Sequence, residues 1–161
     1  MQNEENENHK TRKKNEKITD IDIYTDGACT GNPGPGGFAA VIIQGQQENV
    51  ICGYEPDTTN NRMELRAVLE ALKHIETEKK VTIYSDSSYV INGITKWIKN
   101  WKKNNWKTSS DRLVKNKDLW KKLDSVISKY KIEFKKVKAH NGDKYNEKVD
   151  DLAREQIKKN L

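Results

Sequence analysis

The chain is predicted to fold as one domain of the mixed α/β class, a sheet with helices packed on its faces. Three observations carry this. A polar leader gives way to a three-strand meander, strand and helix periods then alternate, and 161 residues suit one core better than two. A meander that feeds strand–helix–strand units puts antiparallel and parallel pairs into one sheet.

Residues 1–17 are rich in Asn, Glu and Lys and have no aliphatic side chain after Met1. Such a segment cannot bury enough apolar surface to offset its ordering entropy, so it is expected to be a disordered, solvated tail. The folded domain is expected over 18–161. Ile21, Ile23 and Thr25 alternate with Asp22 and Tyr24, the period of a strand, which runs into Asp26-Gly27. Gly27 to Gly37 holds five glycines and two prolines and reads as a turn. Phe38 to Ile43 reads as a buried strand. Gly45 to Glu48 turns, and Asn49 to Tyr54 returns as a third strand.

From Asn60 to about Glu76 the period becomes helical, with Leu65, Val68, Leu69, Leu72 and Ile75 on one stripe. Val81 to Tyr84 is a short strand that ends at Ser85-Asp86, followed by a helix from Ser87 to about Gly93. A basic, tryptophan-rich stretch continues to about Lys107. A further helix carries Leu119, Leu123, Val126, Ile127 and Tyr130. Ile132, Phe134 and Val137 form the last strand, and a helix from about Asp143 to Lys159 closes the chain.

The net charge of +6 points weakly to a polyanionic partner. Cys29 and Cys52 form no CxxC pair, which suits a reducing compartment. No apolar run approaches the roughly 18 residues of a membrane span, and there is no secretory apolar core. A soluble, cytoplasmic monomer is expected.

Acidic residues stand where chemistry is usually built. Asp26 and Asp86 end strands, Glu64 opens a helix, and Asp150 lies in the last helix. Each has a structural alternative: Asp26-Gly27 as a turn, Glu64 as part of a capping box with Asn61, Asp86 as an N-cap, Asp150 as a solvated helix face. If the four converge, their mutual repulsion calls for cations among them. Oxygen donors without Cys or His clusters favour Mg²⁺ or Mn²⁺ over Zn²⁺.

The blocks IYTDGACTGNPGPGG, TTNNRMEL, IYSDSSYV, GITKWIKNWKKNNWKT, VKNKDLW and VKAHNGDKYNEKVDDLA closely resemble the type 1 ribonuclease H family of bacterial type, in that family's order and spacing, from about Ile21 to Ala153. The resemblance implies a five-stranded mixed sheet, its first three strands antiparallel, and an endonuclease that cuts the RNA strand of an RNA–DNA hybrid. It implies two Mg²⁺ ions (Mn²⁺ as a substitute) on Asp26, Glu64, Asp86 and Asp150, with His140 assisting proton transfer or product release. The products would carry a 5′-phosphate and a 3′-hydroxyl. No obligate protein partner is implied.

By the same resemblance Cys29, Asn32, Asn60 and Asn61 line the minor groove of the hybrid, where the 2′-hydroxyl distinguishes RNA from DNA. Cys29 equally fits a buried packing thiol. Between Gly93 and Ser110 there is no acid, and five lysines (Lys96, Lys99, Lys102, Lys103 and Lys107) interleave with Trp97, Trp101 and Trp106. These lysines read as uncompensated phosphate contacts and the indoles as stacking faces. Trp97 is the expected DNA contact, while Trp101 and Trp120 fit the core. Ser88 stands where the family usually has Gln, and Ala139 where Gly often precedes the histidine. The alternative function is a non-catalytic hybrid-binding module on the same fold.

Overall fold

The computed structural model describes residues 20–138 and 142–161. The N-terminal tail, Ala139 and His140 therefore lie outside the described residues. The element order is β1 (Ile21–Cys29), β2 (Gly34–Gln44), β3 (Gln47–Thr58), α1 (Asn60–Lys73), β4 (Lys80–Ser85), α2 (Ser88–Asn92), a π-helical turn (Gly93–Trp97), α3 (Ile98–Lys103), α4 (Lys117–Ile127), β5 (Lys131–Lys136) and α5 (Lys144–Lys159). The sheet runs β3-β2-β1-β4-β5. β1–β2 and β2–β3 are antiparallel, and β1–β4 and β4–β5 are parallel, with Tyr24 beside Tyr84. This is the mixed five-stranded sheet that the sequence predicts.

One sheet face presents Ile21, Ile23, Ala40, Ile42, Val81 and Ile83 to the apolar stripe of α1 and to Leu119, Trp120 and Leu123 of α4. Burying each large aliphatic side chain there contributes roughly 1.5–3 kcal/mol. The opposite face packs Ala39 and Val41 on Val149 and Ala153 of α5.

Several boundaries differ from the sequence reading. β1 continues to Cys29 and β2 starts at Gly34, so much of the glycine-rich segment is paired strand. β3 extends past Tyr54 to Thr58. α1 stops at Lys73, where the His74 N–H bonds back to the Ala71 carbonyl, so Ile75 packs on the core from beyond the helix. Tyr130 likewise follows α4, with its hydroxyl donating to the Ile75 carbonyl at 2.8 Å. The chain after Asn92 continues as helix through the π-turn rather than breaking at Gly93.

Candidate active site and nucleic-acid interface

β1 and β4 are parallel neighbours, so their C-terminal ends lie side by side. Asp26 lies within β1, in register with Ala39 of β2, and Asp86 follows Ser85 directly. Glu64 joins them because Gly27 lets the first turn of α1 abut β1. A Cβ on Gly27 would run into the backbone of Met63 and Glu64. One carboxylate oxygen from each of Asp26, Glu64 and Asp86 lies within 4.8 Å of the others.

The capping alternatives for two of these acids fall away. Thr59 caps α1, its Oγ1 accepting the Arg62 N–H at 3.2 Å, and Ser87 caps α2, its Oγ accepting the Val90 N–H at 3.2 Å. Asp26 does accept the Gly27 N–H at 2.9 Å, inside the strand rather than in a turn.

Asp26 and Glu64 are each only 4% exposed. Burial pushes the Asp26 carboxyl well above the ordinary carboxylate range, with the charges of Asp86 and Asp150 adding to the rise. Glu64 is pushed up for the same leading reason, then by Asp26 and Asp86. Its Oε2 is buried without a hydrogen-bond partner among the described residues. Three crowded carboxylates, two of them desolvated and one with an orphaned oxygen, form a donor set that a hard divalent cation satisfies.

Asp150 stands outside this trio. Its charge is felt at Asp26, but its carboxylate pairs with Arg154 at 2.7 Å, one turn along α5. The N-terminus of α5 is capped by Asp143, whose Oδ1 accepts the N–H groups of Tyr145 and Asn146 at 3.0 and 3.1 Å.

The predicted groove residues gather at the β1–β2 turn. The Cys29 thiol is half-buried and donates toward the carbonyls of Gly34 and Thr58 at 3.5 and 3.4 Å. Asn32 Oδ1 accepts the Asn60 N–H at 2.9 Å, which ties the turn to the start of α1. Asn32, Asn60 and Asn61 are all exposed. Ser88 is exposed at the first position of α2, and its Oγ accepts from Lys136 Nζ at 2.5 Å.

In the tryptophan arm, Trp120 is fully buried, whereas Trp97, Trp101 and Trp106 are half-buried. The rings form a continuous series: Trp97–Trp101 at 5.8 Å, Trp101–Trp106 at 6.5 Å and Trp101–Trp120 at 5.3 Å between centroids. An open cleft of about 510 Å³ is lined by Trp97, Asn100, Trp101, Asn104 and Lys107. The expectation of five uncompensated lysines is corrected. Lys102 pairs with Asp124 at 3.2 Å and Lys107 with Asp111 at 3.6 Å. Among the described residues Lys96, Lys99 and Lys103 form no ion pair. Asp111 and Asp124 lie beyond the acid-free stretch, and folding returns them to it.

The sequence reading missed a polar network beneath the arm. Arg62 donates to both carboxylate oxygens of Asp118 (3.0 and 2.8 Å) and to Asn116 Oδ1 (3.2 Å). The Tyr89 hydroxyl then accepts from Asn116 Nδ2 and Trp120 Nε1, each at 3.0 Å. Arg62 and Asn116 sit inside the TTNNRMEL and VKNKDLW blocks, so the motif was visible although the pairing was not.

Comparison with known proteins bears on the family and the fold. Residues 18–158 match the RNase H family. The ribonuclease H of Ehrlichia canis is 53% identical over 144 residues, which span 89% of this chain and 99% of that protein. That of Acetivibrio thermocellus is 50% identical over 141 residues, 87% and 96% of the two chains. Among solved structures, LC9-RNase H1, described as a type 1 RNase H with the type 2 active-site motif, superposes with a TM-score of 0.79 at 29% identity, covering 89% of this chain and 74% of that one. LC11-RNase H1, solved in complex with an RNA/DNA hybrid, gives 0.66 at 25% identity over 88% and 99%. With sequence and fold in accord, the chain belongs to the type 1 ribonuclease H family and is a ribonuclease H enzyme.

Proposed function

We propose that the chain hydrolyses the RNA strand of RNA–DNA hybrids at Asp26, Glu64 and Asp86, with Asp150 completing the ligand set and His140 serving proton transfer or product release. The observation that carries the reading is the cluster of Asp26, Glu64 and Asp86, the first two of them buried, with its orphaned Glu64 oxygen. Two Mg²⁺ ions, or Mn²⁺ in their place, would supply an activated water and stabilise the leaving oxygen, giving 5′-phosphate and 3′-hydroxyl ends. The chain's own part is to hold ionised carboxylates that burial alone would protonate, and to hold the hybrid in register. Cys29, Asn32, Asn60, Asn61 and Ser88 would face the minor groove. Trp97, Trp106, Lys102, Lys103 and Lys107 would take the DNA strand. The cellular setting is proposed to be the cytoplasm, with the protein acting as a monomer. Among the described residues no helix is long and apolar enough to cross a membrane.

The test offers end-labelled RNA paired with DNA, paired with RNA, and alone, with an all-DNA duplex as control. Each is run with Mg²⁺ and with chelator, alongside Asp86→Asn. Cutting is expected only in the hybrid, only in its RNA strand, only with metal and only with Asp86 intact. Binding of the hybrid without cleavage by the unaltered protein would make it a non-catalytic binding module.

A further inference from the structure

β5 ends beside the candidate active site. Lys136 pairs in register with Ser85, the residue before Asp86, and the Val137 N–H bonds to the Ser85 carbonyl at 2.9 Å. Neighbouring strand residues point to opposite faces. Lys135 accordingly lies over the Tyr84 ring, at 6.0 Å from its centroid, while Lys136 reaches the other way to Ser88. Ser88 is two residues after Asp86, so their Cα atoms are at most about 7 Å apart.

The pair is arranged as a donor set. Lys136 and Ser88 are both exposed, and among the described residues Lys136 forms no ion pair with a carboxylate. An ammonium carries three N–H donors, of which Ser88 takes one. A hydroxyl that accepts the lysine still has its own proton to donate, and among the described residues that proton has no acceptor. Two adjacent donors, one cationic, next to a centre that processes phosphodiesters, match a phosphate oxygen better than a base edge.

We propose that Lys136, steadied by Ser88, is a substrate-positioning residue that binds a backbone phosphate of the hybrid next to the bond that is cut. The proposal rests on the hybrid-nuclease reading above and adds a contact outside the tryptophan arm. It assigns Ser88 a role through its hydroxyl rather than as a short replacement for a longer side chain.

The experiment measures steady-state hybrid cleavage in Mg²⁺ across a series of salt concentrations. The proteins are the unaltered chain, Lys136→Ala, Lys136→Arg, Ser88→Ala and, as control, Lys131→Ala at the far end of β5. Lys136→Ala is expected to raise KM several-fold and to lower the salt slope of log(1/KM) by about one, with the main effect on KM rather than kcat. Lys136→Arg should restore the slope because it keeps the charge. Ser88→Ala should raise KM by less and leave the slope intact, and Lys131→Ala should match the unaltered chain. An unchanged KM and slope in Lys136→Ala overturns the proposal. So does a changed Mg²⁺ requirement at constant slope, which would mean that the ammonium acts on the carboxylates and not on the substrate. Failure of the unaltered chain to cut the hybrid at all would instead overturn the reading on which the proposal rests.

Discussion

At the scale of single residues, the candidate site is built against stability. Asp26 and Glu64 are buried beside Asp86, and burial is the leading cause of the upward push on both carboxyls. An acid whose folded-state pKa lies above its unfolded value of about 4 holds protons that the unfolded chain has released. Its contribution therefore destabilises the fold increasingly as pH rises from about 4 toward the raised pKa. Without divalent metal, Asp26→Asn should relieve that repulsion and raise the melting temperature near neutrality. A gain of about 1–3 kcal/mol, the scale of one unsatisfied buried group, corresponds to roughly 2–4 °C per kcal/mol in a chain of this size. Mg²⁺ should raise the melting temperature of the unaltered chain and have much less effect on the variant, which also loses cleavage. Thermal melts with Mg²⁺ and with chelator check both halves. A variant no more stable than the parent in chelator would show that the trio is not strained.

At the scale of elements, the tryptophan arm is aimed by parts that sequence patterns do not display. The π-turn begins at Gly93, where only glycine fits because a Cβ would enter the Trp120 indole. π-turns inside helices often occur at functional sites. Tyr89 packs on Trp97 at 5.9 Å and on Trp120 at 5.4 Å, and its hydroxyl joins Trp120 to Asn116 and so to Arg62, two residues from Glu64. Tyr89→Phe leaves two N–H donors without their acceptor, at about 1–3 kcal/mol for each that stays buried. Urea unfolding should show that loss, and cleavage assays should show a higher KM with a smaller change in kcat. An unchanged KM would mean that the network holds the core and does not aim the arm.

The contrast between these two scales explains what could be read from the sequence. Glu64 and Asp86 were legible because each stands beside a change of period, at a helix start or a strand end, and Asp26 because the alternating run stops there, although β1 itself continues to Cys29. The strand limits were not. Gly34, Gly36 and Gly37 are turn formers by composition, yet they pair with β3 and β1 because the sheet packs closely there. The partners of Arg62 lie 54 and 56 residues away, a separation at which no periodicity speaks. Lys136 was invisible for the same reason, since its partner Ser88 is 48 residues earlier.

At the scale of the whole molecule, the net charge of +6 conceals how the cations are distributed, and that distribution sets which of them meet the hybrid. A lysine already paired with a carboxylate has part of its charge neutralised and holds fewer counterions to exchange for a phosphate. Lys102 is so paired, through Asp124 at 3.2 Å, whereas its neighbour Lys103 forms no ion pair among the described residues. The pair joins an exposed lysine to a half-buried carboxylate and is worth little in stability, so neither substitution should alter folding measurably. In binding they should separate. Lys103→Ala is expected to lower the salt slope of hybrid affinity by about one, the value for one lost phosphate contact. Lys102→Ala should lower it by clearly less, and Asp124→Asn, which frees Lys102, should steepen it. Equilibrium binding of a catalytically inactive Asp86→Asn background to a labelled hybrid, titrated from low to moderate salt, measures all three slopes without turnover. Equal slopes for Lys102→Ala and Lys103→Ala would mean that the Asp124 pair opens when the hybrid binds, and Lys102 would then engage substrate as fully as Lys103.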